Sequence, residues 1–81
     1  MALDKQEIFE KIRALVAQQL NKAPETITLE TTLEEAGADS LDQVEIIMKL
    51  EETFNVEIND EEAACLKTLS QLVNYIEGLQ T

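Results

Sequence analysis

Few residue types in this chain could do chemistry. Ser40 stands in the stretch Gly37-Ala38-Asp39-Ser40-Leu41-Asp42, Cys65 is the single cysteine, and the rest of the reactive inventory is carboxylates. There is no histidine. A Ser-His-Asp or Cys-His arrangement therefore cannot be assembled, and no imidazole can take the proton of Ser40. Paired carboxylates do acid–base work only where burial raises one of them, and nothing in the pattern marks such a cleft. No Cys/His spacing suits a metal, and residues 39–42 and 59–62 lack the glycine and ligand positions of a calcium loop. Cys65 has no base nearby in sequence and reads as a structural thiol. Ser40 thus has no means of activating itself; if it is functional, another enzyme modifies it.

The elements around Ser40 set how it is presented. Gly37 closes one local structure and Asp39 has the character of an N-cap, which places Ser40 in the first turn of a helix with its hydroxyl toward solvent. Asp42 stands at the N3 position, and the helix runs to Phe54 with a buried stripe of Ile46, Ile47, Leu50 and Phe54. Leu41, Val44 and Met48 fall on an adjoining face beside Asp42, Glu45, Glu51 and Glu52. Asn55 suits a left-handed C-cap. Upstream, Asp4 with Glu7 forms a capping-box pattern opening a helix over 5–20, with Ile8, Phe9, Ile12, Leu15, Val16 and Leu20 at helical spacing. Residues 21–31, with Pro24 and no sustained period, make a long loop pinned by Ile27, Leu29 and Leu33. Thr32 with Glu35 opens a short turn that Gly37 ends. Downstream, Val56 and Ile58 anchor an extended link, Asn59 with Glu62 caps a short helix, and Thr68 with Gln71 caps the last. Leu69, Leu72, Val73, Ile76 and Leu79 form the stripe of that final helix. The expected fold is all-α: a small four-helix bundle of three longer helices and one short one, with a long loop between the first two.

Eighty-one residues suffice for one domain, 1–81, near the lower size limit for independent folding. One cysteine excludes an intrachain disulfide framework and suits a reducing compartment. The longest apolar runs are too short for a membrane span or a signal-peptide core. The cytoplasm is the expected location, or an organelle matrix if a targeting segment has been removed.

Charge narrows the partners. The net value of −11 comes from 6 basic and 17 acidic residues. Residues 30–62 hold twelve of the carboxylates against Lys49 alone, while the segments on either side are each neutral. Scattered acidity would read as a solvated surface. Concentrated around Ser40, it reads as a label for basic partners, acting on encounter rate and register. Nucleic acid is excluded, because its phosphates would be repelled.

Taken together, Gly37-Ala38-Asp39-Ser40-Leu41-Asp42, the continuation Val44-Glu45-Ile46-Ile47-Met48 and Leu50-Glu51-Glu52 to Phe54, and Asp60-Glu61-Glu62-Ala63 resemble the acyl carrier protein family. The likeness is to the stand-alone carriers of dissociated, type II fatty acid synthesis, and it extends from the first helix to about Leu79. It implies a carrier and not an enzyme. Ser40 matches the position that bears a covalent 4′-phosphopantetheine arm, on which growing acyl chains are held as thioesters. Asp39, Asp42, Glu45, Glu51, Glu52 and Asp60 match acidic partner-docking positions, and Leu41, Val44 and Met48 match apolar docking contacts. Ile46, Leu50, Ile58, Leu66, Leu72 and Ile76 are the implied lining of an acyl pocket between the helices. The implied partners of this monomer are a phosphopantetheinyl transferase and ketosynthases, reductases, dehydratases and acyltransferases with basic docking patches. The departures are also specific. Ala36 replaces a large apolar residue and Thr32 an aromatic, removing bulk beside the expected pocket. Asn59 stands for a frequent proline and Ala64 for a frequent acid. These changes keep open a carrier for polyketide, lipid-modification or amino-acyl loading, and an acidic interaction domain without the arm remains the third class.

Overall fold

In the computed structural model, which describes residues 4–80, helix α1 spans Lys5–Leu20 and is closed at both ends by its own chain. The Asp4 side chain accepts the Glu7 N–H at 2.9 Å. Asn21, in the left-handed region at φ 56°, returns its N–H to the Ala17 carbonyl. Between these caps Ile8, Ile12, Val16 and Ala17 share one buried face, the i, i+4, i+8 spacing that puts side chains over one another. That face packs against α4, Leu69–Gln80, and against α2, Ser40–Phe54. The short α3, Asp60–Cys65, completes the four expected helices. The expected domain, 1–81, includes residues 1–3 and 81, which lie outside the described residues.

The core joins α1 to Ile46 and Leu50 of α2 and to Leu69, Leu72, Val73 and Ile76 of α4. Ile27, Leu33, Ala38 and Ile58 are added from the connecting segments. At about 25 cal/mol per Å² of apolar area removed from water, this shared interior is the main term holding the helices together. No buried side-chain nitrogen or oxygen lacks a partner among the described residues.

Two residues expected inside are outside. Leu29 is 45% exposed because Thr28 and Thr31 close a turn around it, their hydroxyls 3.1 Å apart, which leaves Leu29 at the turn's corner. Leu79, one turn beyond Ile76 near the end of α4, is 43% exposed. Ile47 and Phe54 are half-buried, packing against the core from its edge.

The loop between α1 and α2 contains a 3₁₀ turn at Pro24–Thr26, where the fixed φ of proline suits the first position. The loop is then clasped to the start of α4. Leu33 N–H donates to Lys67 O at 2.9 Å, Leu69 N–H to Thr31 O at 3.2 Å, and Ser70 N–H to Leu29 O at 2.9 Å. A helix start leaves such N–H groups without helical partners, and here the loop's carbonyls accept them. Thr68 and Gln71 cap the same end, Gln71 Oε1 accepting the Thr68 N–H and Thr68 Oγ1 the Gln71 N–H. The loop is thereby fixed just before the segment that leads to Ser40.

Candidate functional site

The approach to Ser40 is a turn of defined geometry. Thr32 Oγ1 accepts the Glu35 N–H at 3.0 Å, and Glu35 Oε1 accepts both the Thr32 hydroxyl and its N–H. Gly37 ends the turn at φ 100°, a conformation that side-chain-bearing residues rarely hold. Ala38 N–H then donates to Leu33 O at 2.9 Å and buries its methyl, so the chain enters α2 from a fixed point. Asp39 and Asp42 form a reciprocal capping box. Asp39 Oδ1 accepts the Asp42 N–H at 2.8 Å, and Asp42 Oδ2 accepts the Asp39 N–H at 3.3 Å.

Ser40 is the first residue of α2 and is exposed. Its hydroxyl makes no hydrogen bond among the described residues. It stands on the rim of a groove of about 370 Å³, lined by Val44, Ile47 and Met48 of α2 and by Ile58, Ala63 and Ala64 across from them. A free nucleophilic oxygen at a helix start, with an apolar trough beside it, fits a covalently attached arm whose cargo is apolar. An anion joined there would meet the favourable helix end, worth about 0.3–1 kcal/mol, and opposing repulsion of similar size from Asp39 and Asp42. The electrostatics are thus nearly balanced, and exposure is what the position offers. Ser70, the other serine, is half-buried where the loop clasps α4.

The residues expected to dock partners divide into two groups. Leu41, Val44 and Met48 project from α2 at 65%, 55% and 52% exposure, unusual for large apolar side chains and spaced along one side of the helix. Asp39, Glu52 and Asp60 are exposed beside them. Asp42, Glu45 and Glu51 are half-buried and already engaged. Gln19, in the last turn of α1, donates through Nε2 to Glu45 Oε2 at 2.7 Å and to Asp42 Oδ1 at 3.3 Å. Its Oε1 accepts Lys49 Nζ at 2.9 Å. One amide therefore ties α1 to two turns of α2 and links the single lysine of the acidic segment to Glu45. Glu51 Oε2 accepts the Ile58 N–H at 2.9 Å. Gln19 was not among the residues expected to matter, since nothing near it in sequence signals partners 23–30 residues away.

The six residues expected to line an acyl pocket do not meet in one cavity. Ile46, Leu50, Leu72 and Ile76 are fully buried core, and Leu66 packs half-buried against it. Ile58 alone of the six lines the groove. The groove's α2 wall is instead Val44, Ile47 and Met48, one step around the helix from the Ile46 and Leu50 stripe. Nor does the space left by Ala36 open into this groove. It lies in a second, separate pocket of about 290 Å³, lined by Lys22, Thr26, Ile27, Thr31, Glu35 and Ala36.

The family described as "Phosphopantetheine attachment site" matches residues 10–76, which include Ser40 and both walls of the groove. An acyl carrier protein of Campylobacter fetus subsp. fetus is 47% identical over 74 residues, covering 90% of this chain and 96% of that one. The chain belongs to the acyl carrier proteins. A second relative of that name, from Thermosynechococcus vestitus, is 49% identical and covers 94% of this chain and 95% of its own. In three dimensions the carrier resembles a free-standing peptidyl carrier protein of Acinetobacter baumannii, with a TM-score of 0.85 and 26% identity over 96% of this chain and 98% of that one. Acyl carrier protein from Enterococcus faecalis shares the fold, with a TM-score of 0.80 at 24% identity over 95% and 99% of the two chains. The protein is accordingly a carrier and not an enzyme, and it takes a covalently attached 4′-phosphopantetheine. Its role requires modifying and synthase enzymes as partners. No described helix is long and apolar enough to cross a membrane.

Proposed function

We propose that Ser40 bears the 4′-phosphopantetheine arm and that the carrier serves dissociated fatty acid synthesis, holding growing acyl chains as thioesters. The observation that carries this reading is the Ser40 hydroxyl, exposed and unbonded at the first position of α2, at the mouth of an apolar groove within the family's matched region. Loading needs a second protein. The Ser40 oxygen attacks the phosphorus of coenzyme A that carries the arm, and its proton goes to a base of the phosphopantetheinyl transferase. The adenosine bisphosphate portion departs as the new phosphorus–oxygen bond forms. The carrier contributes the nucleophile and its placement. With no histidine in the chain, the base comes from the transferase.

Docking follows from the same face. Leu41, Val44 and Met48 supply the apolar contact, and the exposed carboxylates of Asp39, Glu52 and Asp60 steer basic partner surfaces. Asp42, Glu45 and Glu51 add charge to the field, while the hydrogen bonds they make inside the carrier hold them in place. Ketosynthases, reductases, dehydratases and acyltransferases are the partners this pathway implies, and the cytoplasm is where it would run. The test is to isolate the carrier from its cells under conditions that preserve thioesters, release the cargo and identify it by mass. Saturated and 3-oxygenated fatty acyl groups are the expected cargo. Aminoacyl or polyketide groups would replace the pathway part of the proposal and keep the carrier part.

A further inference from the structure

Glu51 has a role that its charge alone does not reveal. It lies on α2 and lines the groove, and its half-buried carboxylate accepts the backbone N–H of Ile58, seven residues on. Between them the chain leaves α2 through Asn55 in the left-handed region and runs without helix to the Asn59 cap of α3. The Ile58 side chain is buried, 6% exposed, and the Ile58 N–H belongs to no helix or ladder. A buried backbone donor must find a partner, and Glu51 is the one it has. A bond from such a donor to a carboxylate is charge-assisted and roughly twice as strong as a neutral one.

The groove's second wall depends on this point. Ile58, Asp60, Ala63 and Ala64 form that wall. Yet α3 is six residues long and buries no side chain, far too short to stand as a helix by itself. What holds the wall against α2 is the seating of Ile58 in the core, the partial packing of Ala63 and Leu66, and the Glu51 hydrogen bond. We infer that Glu51 is a latch, a positioning residue that fixes the α3 wall of the groove and so sets how firmly the groove shelters the acyl group carried on Ser40. The inference rests on the proposed attachment at Ser40. It gives Glu51 a duty distinct from docking, since its Oε2 faces inward and is occupied.

The test uses wild type, Glu51→Ala and Glu51→Gln, each loaded by a phosphopantetheinyl transferase with acetyl- or octanoyl-coenzyme A. Cleavage of the thioester by hydroxylamine is followed by intact mass. An acetyl group is too short to occupy the groove, so its rate reports the bare chemistry and the octanoyl-to-acetyl ratio reports shelter. In Glu51→Ala that ratio should rise about tenfold, the loss expected for one charge-assisted hydrogen bond. Hydrogen exchange at the Ile58 amide should quicken with it. Glu51→Gln keeps an acceptor oxygen, so its ratio should fall between the other two. A docking residue would change the rate of arm transfer and leave the ratio alone. Ratios equal to wild type in both variants, with Ile58 exchange unchanged, would overturn the latch while leaving the carrier function intact. A wild type that accepts no arm would overturn both. If Glu51→Ala fails to fold, the Glu51→Gln ratio decides: a rise supports the latch and no rise overturns it.

Discussion

Gln19 is the clearest place to test whether α2 is held in position by polar contacts as well as by its core stripe. Replacing it with alanine removes the 2.7 Å bond to Glu45, the longer 3.3 Å bond to Asp42 and the 2.9 Å bond from Lys49. Hydrogen bonds to charged groups contribute about 1.5–3 kcal/mol when well formed and enclosed. Here the partners regain water: Lys49 is exposed, and Glu45 and Asp42 are only half-buried. Asp42 also keeps its capping bond to Asp39. Counting one strong bond, discounted for solvent, the loss is about 1–2 kcal/mol. For a domain of this size that corresponds to a fall in Tm of about 4–16 °C. Thermal unfolding followed by circular dichroism measures it, and denaturant titration checks that the m value is unchanged. A double-mutant cycle with Glu45→Gln should show coupling, because the two side chains share the shortest bond. A loss below about 0.5 kcal/mol, the ordinary range for surface changes, would refute the view that Gln19 ties α1 to α2.

Other outcomes follow from the same structure. Leu72→Ala, at a fully buried position, should cost about 2–5 kcal/mol and leave little folded protein at 37 °C, whereas Met48→Ala should change stability by under about 0.5 kcal/mol and slow arm transfer instead. Paired Tm and transferase-rate measurements separate the two. Gly37→Ala should destabilise by about 1 kcal/mol or more through the backbone alone, since the nearest atom to an added Cβ is Lys22 Cε at 3.9 Å, ordinary contact. Denaturant unfolding reads that loss. Raising ionic strength from about 0.01 to 0.15 M should raise Tm, because screening weakens the repulsion among the twelve carboxylates of residues 30–62. A flat Tm across that range would count against such repulsion.

The helices were legible in the sequence because their ends and faces are encoded locally. Asp4 with Glu7, Asp39 with Asp42, Asn59 with Glu62 and Thr68 with Gln71 each place a cap within three residues of its partner. Ser40 was legible for the same reason, its position following from Gly37 and Asp39 just before it. What spacing could not supply was how far around α2 each neighbour sits. Ile46 and Ile47 are adjacent and equally apolar, yet one is core and the other lines the groove. Which of them faces inward is set by how the helices pack, not by either residue's chemistry. Leu29 and Leu79 have the chemistry of core residues, yet Leu29 sits at the corner of a turn and Leu79 near the end of α4, and both lie outside. Gln19 and Glu51 were missed as structural residues because their bonds close over 23–30 residues in one case and turn inward to a backbone N–H in the other. Neither pattern has a local signature.

The most direct measurement concerns Ser40 itself. The purified protein and its Ser40→Ala variant are incubated with coenzyme A and a phosphopantetheinyl transferase, beside a carrier known to be modified. Intact mass and peptide mapping then locate any addition. The expected result is one 4′-phosphopantetheine on the wild-type peptide containing Ser40, none on the peptide containing Ser70, and none on Ser40→Ala. An unmodified wild type beside a modified control, or an arm that persists in Ser40→Ala, would contradict the assignment of Ser40 as the attachment point.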